Sequence, residues 1–88
     1  MVSKVATIVN RTGLHARPAS DFVKCAQSFA SNVTIGREGG RTVSAKSIFM
    51  VLAQAYPCGA EVTLSAIGAD EQQAVDTLSS LLASHFDE

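Results

Sequence analysis

A chain of 88 residues, 47% of them hydrophobic and 17% charged, has enough apolar material for one compact domain and too much for a disordered one. A net charge of −1 argues against a general nucleic-acid binder, and no apolar run approaches the ~20 residues of a membrane span. The opening MVSKVATIV lacks a signal-peptide core and a cleavage site, so a cytoplasmic setting without membrane insertion is expected.

Residues 4–9, KVATIV, are β-branched and apolar and predict a strand. Asn10 to Gly13 read as a loop. From Arg17 or Pro18 onward, Ala19, Phe22, Val23, Ala26 and Ala30 recur at three- and four-residue intervals, which predicts an amphipathic helix. Proline suits a first helical turn because the amide it lacks has no intrahelical partner there. NVTIG and RTVSA predict short strands joined by REGG, whose glycines supply the positive φ of a tight hairpin.

SIFMVLAQA, 47–55, fits strand or helix by pattern. A cap at Ser44 or Ser47 and the helix formers Met50, Leu52, Ala53, Gln54 and Ala55 favour helix. YPCG ends it, and AEVTLSAIG predicts a fourth strand. Asp70 followed by Gln73 resembles a capping box, opening a last helix with a buried stripe of Ala74, Val75, Leu78, Leu81, Leu82 and Phe86. The order β-α-β-β-α-β-α, without repeats or linkers, predicts a single α+β domain over 1–88 with helices on one face of a largely antiparallel sheet. A ferredoxin-like topology shares part of that order.

All seven Lys and Arg lie in residues 1–46 beside only Asp21 and Glu38, whereas 47–88 hold six acids and no Lys or Arg. A fold that gathers Arg11, Arg17, Lys24 and Lys46 would present a basic side suited to phosphate or an acidic partner. Cys25 falls in the apolar helical pattern and reads as a small core residue; Cys58, between Pro57 and Gly59, reads as an exposed one. Their separation of 33 positions fits no zinc pattern, and no metal is expected.

The stretch RTGLHARPASDF carries the chemistry. If the helix begins near Ala16 to Pro18, His15 stands at its N-cap or just before it. The first amides of a helix lack intrahelical partners and its dipole makes that end partly positive, so a phosphoryl group on the imidazole would meet donors around Ala16 and Arg17. Arg17 adds a planar guanidinium suited to phosphate oxygens. The same end disfavours the protonated ring, and a neutral imidazole has the lone pair that attack on phosphorus needs. A polar residue merely finishing a helix end would read the same way.

Competing sites are scarce. His85 lies far along the last helix and reads as a surface residue, and neither GxxxxGK[ST] nor GxGxxG occurs, so no nucleotide cofactor is expected. A carrier presenting its reactive group on the surface fits 88 residues better than an enzyme enclosing a substrate. Ser47 reads as a helix N-cap, where a phosphate would again meet amides, with Lys46 adjacent. Ile48 and Phe49 cannot both point fully inward; the exposed one would belong to a partner-binding patch, unless both bury at a crowded helix end.

At GLHARPAS and AKSIF the sequence closely resembles HPr, the histidine-containing phosphocarrier family of the bacterial phosphoenolpyruvate-dependent sugar phosphotransferase system. The similarity runs over essentially the whole chain, through NRTGLHARPA, SAKSI and GAEVTLSAIGADEQQAV. It implies an open-faced β-sandwich, with three helices on one face of a four-stranded antiparallel sheet. It also implies that His15 takes a phosphoryl group at Nδ1 from phosphorylated enzyme I and passes it to a histidine of sugar-specific IIA domains, assisted by Arg17. Ala16, Ser20, Ile48, Phe49 and Leu52 match the surface where both partners dock.

Ser47 matches the serine that an ATP-dependent HPr kinase/phosphorylase modifies in some lineages, where the added charge weakens transfer at the histidine and promotes binding to a catabolite-control repressor. The resemblance thus implies a monomeric, cofactor-free carrier rather than an enzyme. A second reading is a regulatory module that binds repressors or enzymes through the 47–52 helix, and a third is a ferredoxin-like ligand-binding domain. Two departures stand out: REGGRT is one residue longer than in many members, and AQAYPCG replaces the usual glycine- or lysine-containing loop. The second departure puts partner preference in question at Tyr56, Pro57 and Cys58.

Overall fold

The computed structural model describes residues 1–84. Its elements are β1 (Val2–Thr7), α1 (Ala16–Gln27), β2 (Asn32–Arg37), β3 (Thr42–Ser44), α2 (Ile48–Gln54), β4 (Glu61–Ile67) and α3 (Glu71–Ala83). All strand pairs are antiparallel and the sheet order is β1-β4-β2-β3, so β4 is central and β1 pairs with it from Val2↔Ala66 to Thr7↔Glu61.

Alternation along the strands sends one set of side chains to each face. Val33, Ile35, Val43, Val62, Leu64 and Ala66 are buried against the helices, where they join Ala19, Phe22, Val23 and Ala26 of α1 and Ala74, Val75, Leu78 and Leu82 of α3. The opposite face carries hydroxyls: the pairing puts Ser44, Thr34, Ser65 and Ser3 in one row across all four strands. Ser3 and Ser65 share a hydrogen bond of 2.8 Å. The result is the expected open-faced sandwich, with three helices on one side of a four-stranded antiparallel sheet.

Several expected boundaries move, each for a local reason. β1 runs over Val2–Thr7 rather than 4–9. Ser3 and Lys4 are exposed and need no apolar character there, and beyond the strand Ile8 is buried and donates its N–H to the Ala60 carbonyl at 2.8 Å. α1 stops at Gln27, so Ala30 lies outside it and is exposed. Ser28 ends the helix by turning both its N–H and its Oγ onto the Cys25 carbonyl. In the hairpin, only Gly39 of the glycine pair has a positive φ, +79°. Leu81 is half-buried, and His85 and Phe86 lie outside the described residues.

The capping box at Asp70 and Gln73 does not form. Asp70 is the N-cap of α3 but makes no cap bond with its side chain, and Gln73 is exposed. Its carboxylate instead accepts from the Ala30 N–H (2.9 Å), the Ser31 N–H (2.9 Å) and the Ser31 hydroxyl, stapling α3 to the entrance of β2. Glu71 accepts from the Gly68 N–H at 3.4 Å and pairs with the N-terminal ammonium at 3.0 Å.

These donors stabilise the ionised carboxylate. The Ser31 hydroxyl foremost, then the Ala30 amide, lower the pKa of Asp70, and the ammonium foremost lowers that of Glu71. A carboxylate with a depressed folded-state pKa contributes stability that is fully present above its unfolded value of about 4 and is lost as pH falls through the folded value. The melting temperature should therefore decline as pH is lowered below about 4. Asp70→Asn should melt lower at neutral pH and lose part of that acid-dependent decline. Melts of the two proteins from pH 7 to pH 2.5 that fall in parallel would show that Asp70 is not the titrating group.

Candidate functional site

The loop between β1 and α1 is built from inside out. Leu14 is fully buried, while His15 on one side of it is exposed. Asn10, also fully buried, clamps the turn: its Nδ2 donates to the Gly13 carbonyl, and the Gly13 N–H returns a bond to the Asn10 carbonyl at 3.0 Å. Gly13 has φ +74° and lies against the 56–57 backbone. A Cβ there would come within 2.9 Å of the Pro57 Cα and closer still to the Tyr56 carbonyl oxygen.

That second loop is the floor of the site. The Tyr56 carbonyl accepts from the Leu14 N–H at 2.9 Å, and the Gly59 N–H donates to Ile8 at 2.6 Å. Tyr56 is only 2% exposed, and its hydroxyl lies 3.5 Å from the Ile35 carbonyl, so the ring ties the loop to the sheet. Burial raises its phenol pKa, and Arg37 nearby partly offsets the rise. Ala55 reaches the turn in the left-handed region, φ +49°, as the C-cap of α2.

His15 is the N-cap of α1, in extended conformation (φ −141°, ψ 155°), and its own side chain makes no cap hydrogen bond. The expectation for the helix start is met at Ala16, with Pro18 in the first turn. Ala16 itself has φ +52°, a left-handed conformation that costs an L-residue about 1–2 kcal/mol. The exposed histidine thus stands at the mouth of the helix, where the first amides lack intrahelical partners and the dipole favours an anion. Arg17 is 91% exposed at its side chain, with Nε 3.9 Å from Asp21 Oδ2.

Among the remaining expected residues, Ser47 is the N-cap of α2 and accepts from the Met50 N–H at 3.4 Å. Phe49 stands 83% exposed, Ile48 and Leu52 are partly buried against the core, and Val51 is the inward residue of this short helix. Ser20, Val23, Lys24, Gln27 and Ile48 line a shallow groove of about 180 Å³ between α1 and α2. The structure therefore brings Ser20 and Ile48 together.

It does not gather the four expected cations. Lys46 Nζ donates to the Phe29 carbonyl at 2.8 Å and Gln27 Nε2 donates to the Lys46 carbonyl at 3.0 Å, both at the far end of α1. About 15 Å of helix separates that end from Arg17. With Tyr56 against Leu14 and Lys46 against Gln27, α2 runs opposite to α1: Ser47 sits by the C-terminus of α1, and the C-terminal end of α2 lies by His15.

Cys58 is exposed as expected, but Cys25 packs at the margin of the core rather than within it. Cys25 is partly buried and burial pushes its thiol pKa up, whereas Cys58 is exposed, its Sγ 3.7 Å from the Val9 carbonyl. Among the described residues no group of His, Cys, Asp and Glu is arranged to hold a metal ion, and no helix is long and apolar enough to cross a membrane.

Known proteins share this arrangement. Residues 2–84 match the family PTS-HPr, described as the PTS HPr component phosphorylation site. The phosphocarrier protein HPr of Haemophilus influenzae is 46% identical over 82 residues, 93% of this chain and 95% of that one. That of Cupriavidus necator is 43% identical over 100% of this chain and 98% of its own. A crystal structure of HPr from Thermoanaerobacter tengcongensis superposes with a TM-score of 0.95 at 40% identity, covering 100% of this chain and 98% of the other. Sequence and fold agree from end to end, and the chain belongs to the HPr family of phosphotransferase-system phosphocarriers.

Proposed function

We propose that His15 is the phosphoryl acceptor, taking the group at Nδ1 from phosphorylated enzyme I and passing it to sugar-specific IIA domains. The observation that carries this reading is an exposed imidazole at the N-cap of α1 that makes no capping bond to the helix amides. In each transfer the bond from phosphorus to the donor breaks as the bond to the ring nitrogen forms, and the reverse exchange hands the group on. Amides at the helix mouth and the Arg17 guanidinium receive the phosphoryl oxygens. The chain is a monomeric cytoplasmic carrier, a substrate of phosphotransferases rather than an enzyme.

Docking uses Ala16, Ser20, Ile48, Phe49 and Leu52, with Phe49 the most exposed apolar group among them. Incubation with enzyme I and labelled phosphoenolpyruvate should give acid-labile, base-stable label on His15. Label on another residue, or none, overturns the assignment.

Ser47 is the site of a second, regulatory phosphorylation by an HPr kinase/phosphorylase, with a catabolite-control repressor as the further partner. Its place beside the C-terminus of α1 puts the added charge at the docking patch and away from the imidazole, so it acts by repelling a partner rather than by contact with His15. Incubation with the kinase and ATP should add one phosphate at Ser47 by mass spectrometry. An unmodified Ser47 removes this proposal.

A further inference from the structure

Asp21 is the only acid in residues 1–37, and it lies one helical turn from Arg17 on the exposed side of α1. The pair is poorly suited to stabilising the helix. Its cation precedes its anion, the less favourable order along a helix, and both groups are substantially exposed, at 91% and 44%. The cation also sits at the positive end of the dipole, where it gains nothing from the helix. What the pair does is set the Arg17 Nε 3.9 Å from a carboxylate that lies one turn further along α1 than the guanidinium's own residue.

We infer that Asp21 is a positioning residue that competes with the phosphoryl group for Arg17, setting how strongly the protein holds phosphate on His15. The inference rests on His15 being the acceptor. A phosphoryl group there carries about two negative charges and presents oxygens that match the planar guanidinium. It therefore outcompetes a single carboxylate held at 3.9 Å, and Arg17 turns back one helical turn to meet it. Before the turn, Asp21 shields the cation; after it, Asp21 is an unpaired anion near a dianion. Both effects act against phosphate retention, so the carrier gives up its load more readily than the same loop would without Asp21.

The test is the phosphotransfer equilibrium between phosphorylated enzyme I and four full-length proteins: the unchanged chain, Asp21→Asn, Arg17→Gln and the double variant. Asp21→Asn should favour the phosphorylated carrier by about threefold, roughly twofold from the released pair and the rest from removed repulsion, with the gain shrinking as salt is added. In the Arg17→Gln background the same change should move the equilibrium by less than about 1.5-fold, because its main route is gone. An equal shift in both backgrounds, or none in either, overturns the role of Asp21 while leaving the acceptor intact. If the unchanged chain takes no label on His15, the acceptor reading falls and this inference with it.

Discussion

His15→Ala is expected to abolish phosphoryl acceptance from enzyme I, with labelling reduced to background, while the protein folds as before. The ring is exposed at the N-cap, and α1 draws no side-chain hydrogen bond from it, so nothing in the helix start depends on the imidazole. The cost in stability should stay within about 0.5 kcal/mol, the ordinary range for an exposed substitution without structural partners. The neighbours differ in this respect: Leu14 is fully buried and Ala16 holds a left-handed conformation. Paired labelling and thermal melts check both halves. Residual label on the variant, or a melting temperature many degrees lower, would contradict the assignment of His15 as a purely chemical residue.

Gly13→Ala should be the most damaging single-atom change in the loop. Two independent penalties coincide. The left-handed backbone, φ +74°, is costly for any L-residue, by about 1–2 kcal/mol. The new methyl would also strike backbone on two neighbours, the Tyr56 carbonyl and the Pro57 Cα, neither of which can rotate away like the tip of a flexible side chain. Overpacking of that kind adds about 1–3 kcal/mol, so a total near 3 kcal/mol is expected. The clash falls on the contact that also carries the Leu14 N–H to Tyr56 bond, so the His15 loop should lift from its floor and phosphotransfer should slow with the loss of stability. Urea unfolding of the variant within 1 kcal/mol of the parent, as an order-of-magnitude criterion, would show that the two loops are not rigidly seated on one another.

Local chemistry made the candidate site readable in the sequence. Gly13 and Pro18 punctuate the chain on either side of His15, and the apolar spacing from Ala19 to Ala26 fixes which side of α1 is inward, so the start of the helix and the ring at its mouth follow from neighbours alone. Ser47 was legible for the same reason, since a serine before a run of helix formers has one favoured role. Beyond the shifted element boundaries, the expectations that failed involve partners distant along the chain. Asp70 looks like a cap because its own helix begins beside it, yet its carboxylate bonds residues about forty positions away. Lys46 looks free to join a basic cluster until the Phe29 carbonyl claims it. Tyr56 reads as a loop residue, yet it is buried with bonds to Ile35 on the sheet and Leu14 in the His15 loop. Asn10 gave no sign in the sequence beyond its place before a glycine turn, although it holds that turn from within.

The strand order has a consequence for how the molecule is made. β4 is the partner of both β1 and β2, and Val2 meets Ala66 across 64 positions of the chain. A ribosome releasing residues in order therefore exports β1, α1 and the β2–β3 hairpin before the strand that joins them exists. Until then the apolar face of α1 has no completed sheet to lie on, and the emerging segment is exposed to aggregation or chaperone capture. Assembly becomes cooperative only when the last third of the chain has emerged, which makes the early elements passengers of the late ones.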